Sequence, residues 1–359
     1  RFNSGTCIAM STPDPATDAI KPPREQAGPT GAMTAARRAR AATQAADIRL
    51  LGDAAPAYVP NDAPCAPAHQ DDAPDTRLYL GDCRDLLASL PEKGEVDLIF
   101  ADPPFNWDVP YEGDWDDGME RAAYERFTYE WLDGCIDALS PTGSIWVNIP
   151  DDTAAEIVLH LKRRGLVMVN WCVWHFRFGQ CRNSSFIMSK VHALYFCKDP
   201  DNRTWNPDAI LEPSDRAAIY NDARTMAKAD NKGMRVPMDV WYGRYWGRIQ
   251  GNNKERRHGH ENQIPEVYLE RIINACSNKG DLVLDPFCGS GTTSTVARAW
   301  GRRSIAMEQS DTIATSAWDR IITVGMIRKG ESLGKSSAIH AARPKRSKTL
   351  FSPKGRRDT

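Results

Sequence analysis

From Leu78 to Phe196, short apolar runs alternate with amphipathic stretches such as Arg121 to Leu139 and Thr153 to Lys162. Continuous apolar runs mark strands buried on both faces, and the helical patterns between them supply the crossovers that parallel strands require. The alternation predicts an α/β domain built on a mostly parallel, doubly wound sheet. Between Asp199 and His258 the pattern gives way to Asn, Asp, Pro and charged residues, then resumes with a helix from Pro265 to Cys276 and two further α/β steps. The 359 residues admit one large domain of this kind or two smaller ones. Residues 1–75 are rich in Ala, Pro, Asp and Thr without period, and are expected to be disordered. Residues 329–359 form a basic polar tail, also expected to be disordered. The chain opens on Arg1, which makes Met10 and Met33 candidate start residues.

Two strand ends carry the chemistry. The apolar run Val96 to Ala101 ends in Asp102-Pro103-Pro104-Phe105. Neither proline has an N–H to continue a ladder, and both stiffen the turn. The Asp carboxylate, the peptide carbonyls and the aromatic ring then face one small pocket. Such a pocket suits a flat heterocycle with an exocyclic amine, whose protons the carboxylate and a carbonyl accept while the ring stacks on its face. A plain Asp-Pro-Pro turn is the alternative. The second end is Leu282 to Thr293, which reads as a buried strand, a glycine turn (Gly289, Gly291) and the start of a helix. One helix later, Arg303 to Glu308 is another strand ending in an acid, a position that grips ribose hydroxyls in Rossmann-like folds. Together they describe a nucleoside-type cofactor site.

These segments resemble the beta class of DNA amino-methyltransferases, which use S-adenosylmethionine to methylate N6 of adenine or N4 of cytosine. Asp102-Pro103-Pro104-Phe105 matches the D/N/S-P-P-Y/F/W catalytic motif, and Phe287-Cys288-Gly289-Ser290-Gly291 matches the F-x-G-x-G cofactor motif. The catalytic motif comes first, the circularly permuted order of that class. Leu80 to Leu87 is similar to its G-D-C-x-D-x-L segment, and Lys190 to Phe196 to its His-bearing strand. His260 to Pro265 is similar to H-P-x-Q-K-P, with Glu261 and Ile264 in place of the usual Pro and Lys. The resemblance spans residues 77 to 327. It implies a circularly permuted Rossmann-like methyltransferase fold, with a catalytic half at 76–198, an inserted target-recognition region at 199–258 and a cofactor-binding half at 259–328.

The resemblance also assigns roles. Asp102, Pro103, Pro104 and Phe105 are the catalytic candidates. Asp82, Asp285, Phe287, Gly289, Gly291 and Glu308 are the cofactor-binding candidates, with a satisfied turn acid as the alternative for Asp285. In the inserted region, Trp241, Tyr242, Arg244, Tyr245 and Arg248 interleave aromatics with arginines and are the DNA-contacting candidates. A Trp-rich packing segment is the alternative there. No metal is expected. The Asp that opens the catalytic motif leans towards adenine, since many N4-cytosine enzymes carry Ser there. A cytosine-C5 methyltransferase is excluded, because it needs a nucleophilic Cys in a Pro-Cys-Gln context and Pro64-Cys65 is followed by Ala66. RNA or protein amino-methyltransferases usually place the cofactor motif first. An inactive DNA-binding relative would not need Asp102, the glycine turn and Glu308 together.

Composition adds exclusions. No apolar run is long enough to span a bilayer, and no secretory signal pattern is present. Nine cysteines without a C-x-x-C pair point to free thiols in a reducing compartment, hence the cytoplasm. The net charge of −1 gives no global pull on nucleic acid, so attraction to DNA falls to local basic patches. Double-stranded DNA is the expected partner. A cognate restriction endonuclease and a homodimer are further partners that similar enzymes suggest.

Overall fold

The computed structural model describes residues 58–62, 65–108, 117–180, 186–220, 222–226, 233–243, 246–249, 255–256 and 262–324. In chain order the elements are β1 (His69–Asp72), β2 (Asp75–Leu80), α1 (Cys83–Ser89), β3 (Val96–Ala101), α2 (Arg121–Ala138), β4 (Leu139–Ile149), α3 (Asp151–Arg163), β5 (Val167–Gln180) and β6 (Met188–Cys197). A 3-10 turn (Pro207–Ile210), β7 (Glu212–Pro213), α4 (Asp215–Ala218), α5 (Ala223–Met226), β8 (Met234–Arg235) and β9 (Val240–Trp241) follow. The chain continues through α6 (Glu266–Cys276), β10 (Leu282–Asp285), α7 (Thr292–Ala299), β11 (Arg303–Glu308) and α8 (Asp311–Thr323).

Among the described residues, one nine-stranded sheet has the order β1-β2-β11-β10-β3-β4-β6-β5-β9, and β7 and β8 form a separate ribbon. The run β2-β11-β10-β3-β4 is parallel throughout, while β6 is antiparallel to both of its neighbours. The expected mostly parallel α/β sheet is the one observed.

Alternate side chains of a strand point to opposite faces, and the cores sort accordingly. Ile99, Ile145, Val147, Leu284 and Ile305 pack against Leu87 of α1, Trp131 of α2 and Leu161 of α3. On the other face, Leu98, Phe100, Trp146 and Val283 pack against Tyr268 and Leu269 of α6 and Val296 of α7. A smaller cluster beneath α8 joins Ala306 to Ala317 and Ile321. Helix α2 therefore carries β3 to β4 across one face, and α7 carries β10 to β11 across the other. The loops after β3 and β10, which are neighbours, leave in opposite directions. This opens a crevice at the carboxyl edge, the place where open α/β sheets bind ligands.

The structure departs from the sequence reading near the start of the domain. Residues 1–75 were expected to be disordered, but β1 pairs antiparallel with β2 from His69↔Leu78 to Asp72↔Asp75. Upstream of it, the Tyr58 hydroxyl donates to Asp85 at 2.6 Å and the Tyr58 N–H donates to Glu130 at 3.1 Å. A polar strand such as His-Gln-Asp-Asp carries no apolar alternation, so it is formed by its neighbour rather than by its own pattern. The basic tail 329–359 and residues 1–57 lie outside the described residues. Among the described residues, no helix is long and apolar enough to cross a membrane, and no group of His, Cys, Asp and Glu could hold a metal ion.

Candidate active site

Four acids stand at the carboxyl ends of adjacent parallel strands: Asp82 after β2, Glu308 closing β11, Asp285 closing β10 and Asp102 after β3. They line one cavity of about 420 Å³, together with Phe105, Phe127, Phe287 and Gly289. The strand register brings them together, because Glu308 pairs with Leu80 and Asp285 with Ala306.

Asp102 Oδ1 accepts a hydrogen bond from Asn148 Nδ2 at 2.6 Å. Burial pushes the Asp102 pKa up to about 7, against the pull of that hydrogen bond and of the Arg248 guanidinium. Asp285 is pushed up to about 8, first by burial and also by the charges of Asp102 and Glu308. The turn after Asp102 is braced on both sides. Tyr124 donates its hydroxyl to the Pro104 carbonyl at 2.6 Å. The Asp117 carboxylate accepts the N–H groups of Asn106 (3.0 Å) and Trp107 (2.9 Å). Asn106 and Asp108 hold φ values of 59° and 57°, a left-handed conformation that Asn and Asp tolerate. The Phe105 ring meets Trp107 edge-on with centroids 5.3 Å apart.

The glycine turn is tied to β11. Glu308 Oε2 accepts the Gly289 N–H at 2.9 Å, and Oε1 accepts those of Gln309 (3.0 Å) and Ser310 (3.1 Å). Burial raises its pKa against these three donors. Asp285 Oδ1 accepts the Phe287 N–H at 3.0 Å, so this carboxylate also organises its own turn. The Phe287 ring packs edge-on against Trp131 at 5.1 Å. Gly291 differs from the cofactor-binding expectation. Its φ is 73°, and a Cβ there would lie 3.2 Å from both Ala317 Cβ and Ile321 Cδ1. The bare Cα faces α8, and the cavity wall is formed by Gly289, Ser290 and Thr292 instead. Gly291 thus lets two helices approach.

Asp82 lines the cavity, but its carboxylate is largely engaged. It caps α1 by accepting the Arg84 N–H at 2.9 Å and holds the Arg84 guanidinium at 3.1 and 2.8 Å. That guanidinium also pairs with Glu130 at 2.9 Å and lies 3.7 Å over the Tyr58 ring.

The segment expected to touch DNA divides. Trp241 is a correction, being 5% exposed. Strand β9 adds to the edge of β5, which turns Trp241 inward against Tyr268 at 5.2 Å and Trp146 at 5.7 Å. The packing alternative holds for it. Tyr242, the next residue, is 61% exposed. Arg248 lies over the Phe176 ring at 4.6 Å, near enough to Asp102 to favour its charged form. Arg244 and Tyr245 lie outside the described residues. Sequence reasoning missed Asn148, Tyr124, Asp117 and Phe127. Only Asn148 carried a signal, as a single amide inside the apolar run Ile145 to Ile149, where a buried polar group needs a partner.

A parallel sheet with a cavity at its carboxyl switch point, walled by a glycine turn and an acid-ended strand, defines a Rossmann-like nucleoside site. Comparison with known proteins specifies it. A family model described as DNA methylase (N6_N4_Mtase) matches residues 96–318. The chain is 35% identical over 237 residues to the Type II methyltransferase M.BamHI of Bacillus amyloliquefaciens, covering 65% of this chain and 54% of that protein. It is 31% identical over 248 residues to the Type II methyltransferase M.HpaI of Haemophilus parainfluenzae, covering 69% and 74%. In fold it resembles the PvuII DNA methyltransferase (cytosine-N4-specific), with a TM-score of 0.54 at 17% identity, covering 78% of this chain and 95% of that one. The chain spans about half the length of M.BamHI and about three quarters of that of M.HpaI. The protein belongs to the N6_N4_Mtase family of DNA methylases.

Proposed function

We propose that this protein transfers a methyl group from S-adenosylmethionine to the exocyclic amine of a base in double-stranded DNA, N6 of adenine ahead of N4 of cytosine. The carrying observation is that Asp102, in its braced Asp-Pro-Pro-Phe turn, lines the same cavity as the glycine turn and Glu308. The site suits the cofactor. Its volume is in the range of small-molecule sites, and Glu308 offers carboxylate oxygens for ribose hydroxyls. Phe287 and Gly289 would line the cofactor beside Glu308. The cofactor supplies an electrophilic methyl group on a sulfonium, which needs neither metal nor covalent intermediate.

The chain's own groups position and activate the acceptor. A base inside a duplex cannot reach this crevice, so it must be flipped out. Phe105 stacks on its face, and Asp102 and the Pro103 carbonyl accept the two amine protons. These bonds draw electron density towards the amine and favour its pyramidal form. The amine sheds one proton on transfer, and a carboxylate with a pKa near neutrality is a matched acceptor. The opening Asp of the motif supports adenine. Segment 199–258 is the proposed target-recognition region, with Tyr242 and Arg248 as its described contacts. The names of the relatives make a restriction endonuclease of the same specificity the partner to seek. A homodimer and a cytoplasmic location complete the proposal.

Mass spectrometry of nucleosides from the DNA of a host expressing the chain, with Asp102→Ala as control, tests the reading. N6-methyladenine absent from the control is the expected result. N4-methylcytosine instead would move the base assignment, and neither product would overturn the function. Two further outcomes are expected. Truncating Phe105 to Ala should lower kcat/KM by about 5- to 150-fold, the equivalent of ~1–3 kcal/mol of stacking, with Phe105→Tyr retaining most activity. Activity at saturating cofactor should fall as pH drops through about 7, because the raised Asp102 carboxyl is then protonated and stops accepting. A flat profile from pH 5.5 to 8 (about that window, where only groups near neutrality titrate) would rule out Asp102 as the acceptor.

A further inference from the structure

Asn148 has a chemical surrounding that packing alone does not require. It is buried in β4 between Val147 and Ile149, yet both ends of its amide are used. Nδ2 donates to Asp102 Oδ1 at 2.6 Å, and Oδ1 accepts the Tyr268 hydroxyl at 3.1 Å. A carboxylate can only accept, so the amide must present its NH2 to Asp102 and its oxygen to Tyr268. Tyr268, at the first turn of α6, is fully buried. Its ring is held edge-on by Phe100 (5.8 Å), Trp174 (5.4 Å), Trp241 (5.2 Å) and Trp246 (6.3 Å). The phenol therefore has little freedom to turn away from Asn148.

We propose that Tyr268 and Asn148 are positioning residues for methyl transfer, a two-link relay that holds Oδ1 of Asp102 and leaves its second oxygen for the amine of the flipped base. The inference rests on the reading of Asp102 as amine acceptor given under Proposed function. The relay crosses the sheet interior from α6 to β4 to the end of β3. It also links the catalytic carboxylate to the inserted segment, because Trp241 and Trp246 wall the ring whose hydroxyl starts the relay. Burial raises the Asp102 pKa, and the Asn148 amide and the Arg248 guanidinium oppose that rise. The Asp285 carboxyl and the Tyr268 phenol also face this carboxylate, whose charge raises their own pKa values. The Asn148 hydrogen bond favours the charged form, so losing it moves ionisation of Asp102 to higher pH.

Steady-state methylation of a duplex substrate across a pH series tests the relay. Tyr268→Phe removes one oxygen from a packed ring and preserves its shape. It should lower kcat by about 2- to 10-fold, as expected for a lost neutral hydrogen bond. Asn148→Leu removes a bond to a charged acceptor and should lower kcat by about 10- to 150-fold. In both variants the acidic limb of the kcat profile should shift to higher pH, with cofactor affinity unchanged. Tyr268→Phe should add nothing on the Asn148→Leu background, since the second link is already broken. Tyr268→Phe at the parental kcat, with the parental acidic limb, would overturn the relay even if its Tm falls. If instead Asp102→Ala keeps turning over, the underlying assignment of Asp102 fails and the relay goes with it.

Discussion

Asp102→Ala is expected to abolish methyl transfer while leaving S-adenosylmethionine binding nearly intact. In the proposed mechanism the carboxylate accepts from the amine, and its removal takes away the charge-assisted bond that would orient and activate a poor nucleophile. Losing one preorganised group at a reacting centre lowers kcat by about 10²–10³-fold, and in the proposed mechanism the same group also receives the proton. Cofactor binding should survive, because the glycine turn is held by Glu308 and Asp285 and not by Asp102. Single-turnover kinetics and a calorimetric titration with the cofactor separate the two effects. A variant that turns over normally, or one that loses cofactor affinity in parallel with rate, would contradict this division of labour. Asp102→Asn is a sharper form of the same test. It keeps the shape and an oxygen but brings an NH2 group that cannot accept, so it too should be slow and should lose the acidic limb near pH 7.

The second large effect is expected at Glu308. Its two oxygens hold three backbone N–H groups, those of Gly289, Gln309 and Ser310. The same carboxylate lines the cavity where ribose hydroxyls would be accepted. Glu308→Ala should weaken cofactor binding by about 10- to 150-fold, the range of a hydrogen bond to a charged group. It should also lower Tm, since the glycine turn loses its acceptor. Glu308→Gln separates the two roles. Only one of its terminal atoms remains an acceptor, and its NH2 would face one of the N–H donors. Partial loss of affinity with rate restored at saturating cofactor is the expected pattern. Unchanged affinity in Glu308→Ala would remove Glu308 from the cofactor site.

Local segments of this site were legible because each encodes its own geometry. Asp102-Pro103-Pro104-Phe105 ends a ladder wherever it occurs, since proline cannot donate. Gly289 and Gly291 announce a turn because their φ of 50° and 73° suit residues without a Cβ. An acid at the end of β11 follows from an apolar run that stops at Glu308. The alternation of apolar runs with helical patterns similarly led to the parallel sheet and its carboxyl edge. Other features were not legible, for separate reasons. Strand β1 has a polar sequence and forms only because β2 offers an open edge. The aromatic and arginine residues from Trp241 to Arg248 share one composition, yet their fates diverge. Trp241 enters the core, Tyr242 points to solvent and Arg248 lies over Phe176.

What this sequence determines by itself is the chemistry available at each strand end, because turn and ladder preferences act between residues a few positions apart. It thereby carries the motifs on which the proposed methyl transfer, with Asp102 as acceptor of the amine protons, is argued. The tertiary structure alone decides which of those groups stay available and which groups steer them. Asp82 is claimed by Arg84, Gly291 is turned towards α8, and Asp102 is held by Asn148, itself held by Tyr268. Asn148 lies 46 positions from Asp102, and Tyr268 a further 120 along the chain. Contacts across such separations arise from packing helices and strands into layers. A local pattern of apolar and polar residues specifies which face is buried, but not which distant hydroxyl or amide will meet a carboxylate there.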